Sequence, residues 1–275
     1  MPLLCLLYTD FPMDFRKEEK MLQKITLKLT YTGDAKASYN WGSMMHGVLM
    51  ELLPADAAEA FHENGLRPFS QYVLPSGENN IEWNIGLWGD GMAEEVAKAV
   101  MPVNTLEIKH KGILLKVCSS ERKNQSERDF MAGFFEPEKP CRKYELEFLT
   151  PCTHKSAGKH VLFPTTELMV QSLCMRFNAF SQEYSLDDPE AMKQIAENIH
   201  IAKYSLHSAQ YHLDGNKVTG YMGKVTLYVT GPEQLARLAG MLLSFSEYSG
   251  IGVKTSLGMG GCRVKPILKE TALGR

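Results

Sequence analysis

Lys24-Ile25-Thr26-Leu27-Lys28-Leu29-Thr30-Tyr31 alternates without a break: Ile25, Leu27, Leu29 and Tyr31 share one face, and Lys24, Thr26, Lys28 and Thr30 share the other. A period of two marks a strand with one buried side. Working outward, a helix starts near Tyr39, because Trp41, Met44, Met45, Val48, Leu49, Leu52 and Leu53 recur at helical spacing. Strand-like runs follow at residues 69–74 and 81–87, separated by Pro75-Ser76-Gly77. Asp90 is placed to cap a helix reaching Val100, and residues 106–117 read as a last strand, broken near Lys111-Gly112. The order is β-α-β-β-α-β.

The long polar stretch 119–129 reads as a loop or linker, after which the order repeats. Residues 143–149 are strand-like, 165–180 helical, 188–198 a second short helix, and 204–213 and 224–229 a pair of strands. Pro232 suits a helix first turn, Leu235, Leu238, Ala239, Leu242 and Leu243 give that helix its stripe, and Gly250 ends it. A short strand at 261–264 closes the unit. Two such units in tandem predict an α+β chain of two ferredoxin-like domains, with antiparallel sheets facing a central cleft. The expected boundaries are a leader outside the core fold at 1–20, an N-terminal domain at 21–118, a linker at 119–140 and a C-terminal domain at 141–275.

Bulk properties narrow the function classes. A 275-residue chain with 44% hydrophobic and 23% charged residues has material for real cores. A net charge of −2 neither demands nor forbids a nucleic-acid partner, since a basic patch suffices. The six cysteines, at 5, 118, 141, 152, 174 and 262, form no CxxC pair, which argues against a zinc ribbon or a redox motif and fits reduced cytoplasmic thiols. No apolar run approaches a membrane span, and residues 1–7 lack the basic start of a signal peptide. No metal or cofactor is expected.

One stretch stands apart: Gly250-Ile251-Gly252-Val253-Lys254-Thr255-Ser256-Leu257-Gly258-Met259-Gly260-Gly261 places five glycines among a lysine and two hydroxyls. It is not a P-loop, because Val253 stands where a glycine would precede the lysine, and it is not a dinucleotide fingerprint, because Thr255 replaces the third glycine and the helix precedes the loop. Two readings stay open on the local pattern: a concave phosphate grip of backbone amides with Lys254, Thr255 and Ser256, and a helix cap running into a tight turn.

The tandem order together with G-x-G-x-x-x-S-L-G-x-G, carried by Gly250, Gly252, Ser256, Leu257, Gly258 and Gly260, resembles the CRISPR-associated repeat-processing endoribonucleases of the RAMP superfamily. The segment 44–50 resembles their first helix, 60–65 followed by Arg67-Pro68-Phe69-Ser70 resembles their histidine-bearing segment, and Phe163-Pro164 fits before the second domain's first helix. The loop is similar to that of members encoded beside type III-A effector systems. The resemblance covers about residues 21–266. It implies metal-independent cleavage within the CRISPR repeat of a precursor transcript, in which the 2′-hydroxyl attacks the adjacent phosphate and leaves 2′,3′-cyclic phosphate and 5′-hydroxyl ends. It also implies repeat RNA as partner, transient association with a type III effector complex, and a monomer or homodimer.

That chemistry needs a base, an acid and a cation. Among eight histidines, His46 lies on the first helix, roughly 120° from the centre of its apolar stripe, which favours a solvent- or cleft-facing ring; an ordinary boundary histidine is the alternative. His62 sits in the polar His62-Glu63-Asn64-Gly65, matching the family's active-site histidine; a histidine that pins the turn is the alternative. Some members carry a tyrosine one turn along the first helix, where this chain has Met50, leaving His46 as the substitute. Arg67 matches a position for a phosphate-stabilising cation, and Tyr39 is a candidate for orienting substrate. Gly250, Gly252, Lys254, Thr255, Ser256, Gly258 and Gly260 are expected to hold RNA, with Lys155 and Lys159 in a basic mobile loop at 151–160 and Lys24 and Lys28 on the first strand's polar face. Lys109, His110, Lys111 and Lys116 form a second basic stretch that flanks the same cleft. Two competing functions fit parts of this pattern: a non-catalytic RAMP-type RNA-binding subunit of an effector complex, and a ferredoxin-like binder of an anionic metabolite.

Overall fold

The computed structural model describes residues 21–268 except 64, 90, 182, 183 and 214, with the backbone alone at 21, 60, 62, 63 and 180. The expected leader and the Asp90 cap therefore lie outside the described residues. The first unit runs β1 (Met21–Tyr31), α1 (Trp41–Leu52), α2 (Ala55–Glu63), β2 (Phe69–Pro75), β3 (Asn80–Gly89), α3 (Gly91–Val100), β4 (Thr105–Ile108) and β5 (Ile113–Ser126). Its sheet order is β2-β3-β1-β5-β4. Ile25, Leu27 and Leu29 are buried with Met45 and Leu49 of α1 and Val96 and Ala97 of α3. A slip of one residue in β1 would turn all three strand residues to water, at about 1.5–3 kcal/mol for each side chain, so burial holds the register.

After α4 (Glu127–Phe135), the second unit runs β6 (Lys143–Cys152), a small hairpin β7 (His154–Ser156) and β8 (Lys159–Val161), α5 (Thr166–Phe180), α6 (Pro189–Glu197), β9 (Ile199–Leu213), β10 (Asn216–Val229), α7 (Glu233–Ser249) and β11 (Cys262–Pro266). Its sheet order is β11-β6-β10-β9, the ferredoxin-like arrangement. Local chemistry sets the helix ends. The Thr165 and Asp188 side chains accept from the amides of Leu168 and Glu190, Pro189 occupies the first turn of α6, and the Gly250 amide closes α7 on the Ser246 carbonyl at 2.8 Å.

Three expectations are corrected. The stretch 119–129 is not a loop: β5 continues to Ser126 and α4 follows, with the Ser126 hydroxyl capping that helix through the Asp129 amide. Residues 106–117 form a hairpin of β4 and β5 that adds a fifth strand at the sheet edge. The segment around His62 belongs to a helix, α2, rather than to a polar turn.

The two units share a core. Leu22 and Trp88 of the first sheet are buried in the second unit's cluster, and the Trp88 ring meets Phe245 of α7 edge-on at 5.7 Å. The C-terminal end of α7 lies against the first sheet: the Tyr248 carbonyl accepts from the Ser70 hydroxyl at 2.7 Å, and Lys24 pairs with Glu247 at 3.2 Å. At Gly86 on β3 an added Cβ would collide with the Tyr248 backbone. Gly86→Ala should therefore destabilise the chain by about 1–3 kcal/mol. At Gly47, on the exposed side of α1, a Cβ meets open space, so Gly47→Ala should add about 0.5–1 kcal/mol. Urea denaturation of both variants against wild type checks the pair.

Candidate active site

His46 is half-buried on α1, and its ring lies over Phe69 of β2 with centroids 6.1 Å apart and planes 20° from parallel. Phe61, in the last turn of α2, meets the same Phe69 ring edge-on at 5.3 Å. α1, α2 and β2 therefore converge on one aromatic ring, and the residue after Phe61 is His62. The backbone of His62 closes α2; its side chain lies outside the described atoms.

Arg67 joins this face to the glycine-rich loop. Its Nε donates to the Phe61 carbonyl at 2.9 Å, and its Nη1 donates to the Ser256 hydroxyl at 2.9 Å. Burial holds the guanidinium pKa below its usual value. Nη2 has no hydrogen bond among the described residues.

The loop itself is a joint. Gln71 of β2, fully buried, donates from Nε2 to the Gly42 carbonyl at 2.7 Å and to the Ser256 carbonyl at 3.0 Å, while its Oε1 accepts from the Trp83 indole at 2.9 Å. From the second sheet, the Tyr211 hydroxyl donates to the Leu257 carbonyl at 2.7 Å. Gly42, in the first turn of α1, and Gly258 approach so closely that a Cβ on either would run into the other's Cα and the Tyr211 hydroxyl.

Most of the loop's amides are taken up within the protein. The amides of Ile251, Gly252, Val253, Leu257, Gly260 and Gly261 donate respectively to the Gly260 carbonyl, the Ser172 hydroxyl, the Thr153, Lys254 and Pro151 carbonyls, and the Thr150 hydroxyl. Thr255 and Ser256 are 2% and 7% exposed, so their hydroxyls face protein. Lys254 is the exposed residue of the loop, held at φ 59°.

The remaining expected residues are spread around this centre. Tyr39 stacks on Tyr211 at 6.1 Å and donates to the Gln210 carbonyl at 3.2 Å, which ties the start of α1 to β9. Lys24 is occupied by Glu247, and Lys28 is exposed. Lys155 and Lys159 are exposed, yet the loop expected to be mobile is the β7–β8 hairpin, and His154 within it is buried. Burial, helped by the charge of Arg176, lowers the His154 pKa to about 4. Arg176 of α5 donates to the Gly252 carbonyl at 2.8 Å and so braces the loop from behind. Sequence reasoning missed Gln71, Tyr211 and Arg176. The one signal for Gln71 was an amide side chain inside a largely apolar strand.

A family model described as CRISPR-associated endoribonuclease Cas6 matches residues 146–262. Over 260 residues the chain is 30% identical to a CRISPR-associated endoribonuclease Cas6 of Mycobacterium tuberculosis (strain CDC 1551 / Oshkosh), covering 92% of this chain and 81% of that relative. The chain belongs to the Cas6 family. A Cas6 endoribonuclease of Streptococcus thermophilus is 28% identical over 222 residues, 80% of this chain and 89% of its own. Among solved structures, a Cas6 product complex superposes with a TM-score of 0.73 at 22% identity over 89% of this chain and 99% of that one. Thermus thermophilus Cas6 superposes with a TM-score of 0.70 at 19% identity over 90% and 100%. These neighbours share the tandem ferredoxin-like architecture, and in this chain Arg67 and Gln71 bring α1, α2 and the glycine-rich loop together.

Two outcomes follow from the site. Arg67→Ala and Ser256→Ala should be non-additive in a double-mutant cycle on folding stability, with a coupling of about 0.5–3 kcal/mol, because either change removes the same bridge. The neutral His154 ring supplies stability that is complete above pH 6.5, its unfolded value, and is lost as the pH falls towards 4. Urea midpoints measured from pH 7 to pH 4.5 should fall less steeply in His154→Asn than in wild type.

Proposed function

We propose that this Cas6-family endoribonuclease cleaves within the CRISPR repeat of precursor transcripts, without a metal ion, to release guide RNAs. One observation carries the reading: a single guanidinium, Arg67, hydrogen-bonds both the carbonyl that precedes His62 and the Ser256 hydroxyl of the glycine-rich loop. The two segments that carry the chemistry and the substrate grip are thereby held in one geometry.

In this mechanism one histidine of the pair His46 and His62 takes the proton of the 2′-hydroxyl. The freed O2′ attacks the adjacent phosphorus, and the bond from phosphorus to the 5′-oxygen breaks. The other histidine gives that oxygen its proton, so the products are a 2′,3′-cyclic phosphate and a 5′-hydroxyl. Arg67 Nη2 stabilises charge on the phosphate, and Tyr39 fixes the start of α1 through β9. Lys254, Lys28, Lys155 and Lys159 neutralise backbone phosphates at the surface. Gly250, Gly252, Gly258 and Gly260 act by shaping the loop, and Thr255 and Ser256 by anchoring it. Lys24 joins the RNA surface by exchanging Glu247 for phosphate. Association with a type III effector complex is transient, and the enzyme is a cytoplasmic monomer or homodimer. The N-terminal domain closes with β5 at Ser126, beyond the 118 expected from sequence, and the C-terminal domain follows from 141.

Purified protein incubated with its repeat RNA in excess EDTA should yield cyclic-phosphate ends. Binding without cleavage would instead assign the chain as an RNA-binding subunit. His46→Ala and His62→Ala should each slow single-turnover cleavage by about a hundredfold or more, and a pair of variants at wild-type rate would remove these residues from the mechanism.

A further inference from the structure

Two large aromatic rings stand in water where the catalytic face makes no use of them. Phe163, two residues beyond β8, is 44% exposed, and Tyr204 on β9 is 59% exposed. Their rings meet edge-to-face, 5.3 Å between centroids and 83° between planes. Leu162 beside them is half exposed. β9 is the edge strand of its sheet, paired on one side by β10. Clustered apolar side chains left at a surface mark a site of interaction.

The charges around the pair state what kind of partner fits. Residues 151–166 contain Lys155, Lys159 and His160 but no aspartate or glutamate, and residues 199–213 contain Lys203 and His207 but again no acid, in a chain that carries 32 acidic residues. Lys155 and His160 sit opposite each other across the hairpin that leads into Phe163. Rings carried on segments whose own charges are basic, with Glu167 the first acid beyond Phe163, suit a polyanion with planar groups. A protein partner more often meets an apolar centre with charges of both signs around it.

We propose that Phe163 and Tyr204 form a stacking platform for an unpaired base of the RNA, with Lys155, Lys159 and Lys203 neutralising the neighbouring phosphates. The proposal rests on the endoribonuclease reading and adds to it a second contact, separate from the cleavage seam. Every base offers a π-face, so the platform tolerates any sequence and contributes affinity without choosing the scissile bond. Its loss is therefore a loss of binding with the chemical step intact.

The test uses repeat RNA with single-stranded flanks, carrying 2-aminopurine at successive unpaired positions. It compares wild type, the double variant Phe163→Ala/Tyr204→Ala, and Tyr204→Trp. Both side chains are exposed, so neither change removes core packing. The double variant should bind at least about fivefold more weakly, lose the fluorescence quenching at one labelled position, and keep its single-turnover rate at saturating RNA. Tyr204→Trp should retain affinity and quenching. If wild type binds and cleaves while the double variant matches it in affinity and quenching, the platform is overturned and the patch passes to a protein partner. If wild type neither binds nor cleaves, the endoribonuclease reading fails and takes the platform with it.

Discussion

A buried side-chain amide holds the two halves of this molecule in register. Gln71 satisfies the Gly42 carbonyl of the first helix, the Ser256 carbonyl of the glycine-rich loop and the Trp83 indole at once, with no exposure to water. A net hydrogen bond is worth about 1 kcal/mol, but removing one partner leaves the others buried and unpaired at about 1–3 kcal/mol each. The position of the loop relative to α1 therefore rests on a residue that touches no substrate. Arg67 and Tyr211 reinforce the same joint from the two sides.

This arrangement explains how a loop rich in glycine can be part of a defined site. Glycine usually signals freedom, yet here the amides of Ile251, Gly252, Val253, Leu257, Gly260 and Gly261 donate to protein acceptors, and Gly42 and Gly258 approach closely. The loop is therefore ordered by the protein itself. His46 shares that order through the Phe69 ring, which also receives Phe61. The seam is thus one packed unit built from α1, α2, β2 and the loop.

Most of the fold was legible because each ferredoxin-like unit must build its own apolar faces. The alternation in β1 and the stripes in α1 and α7 report that directly. β5 beyond residue 118 escaped notice because it is held by its ladder with β1 rather than by burial; Lys24 faces Lys123 and Thr26 faces Glu121, so no hydrophobic period exists to read. α2 has too few apolar residues to form a recognisable stripe. At the site, the partial burial of His46 agrees with its place at the edge of the α1 stripe. The burial of Thr255 and Ser256 was not legible because a hydroxyl carries no mark of where it points. His154 looked solvated because the residue that hems it in, Arg176, is distant along the chain.

The contact between Gly42 and Gly258 constrains how such a protein can change over generations. Most packed pairs drift by exchange, one side chain growing while its neighbour shrinks. Neither member here has anything to give up, and the third participant is the Tyr211 hydroxyl that anchors Leu257. A larger residue at either position would have to displace both that tyrosine and the facing backbone, which would free the loop they secure. The seam is thus closed to stepwise compensation, while exposed positions such as Lys254 and the hairpin can vary one residue at a time.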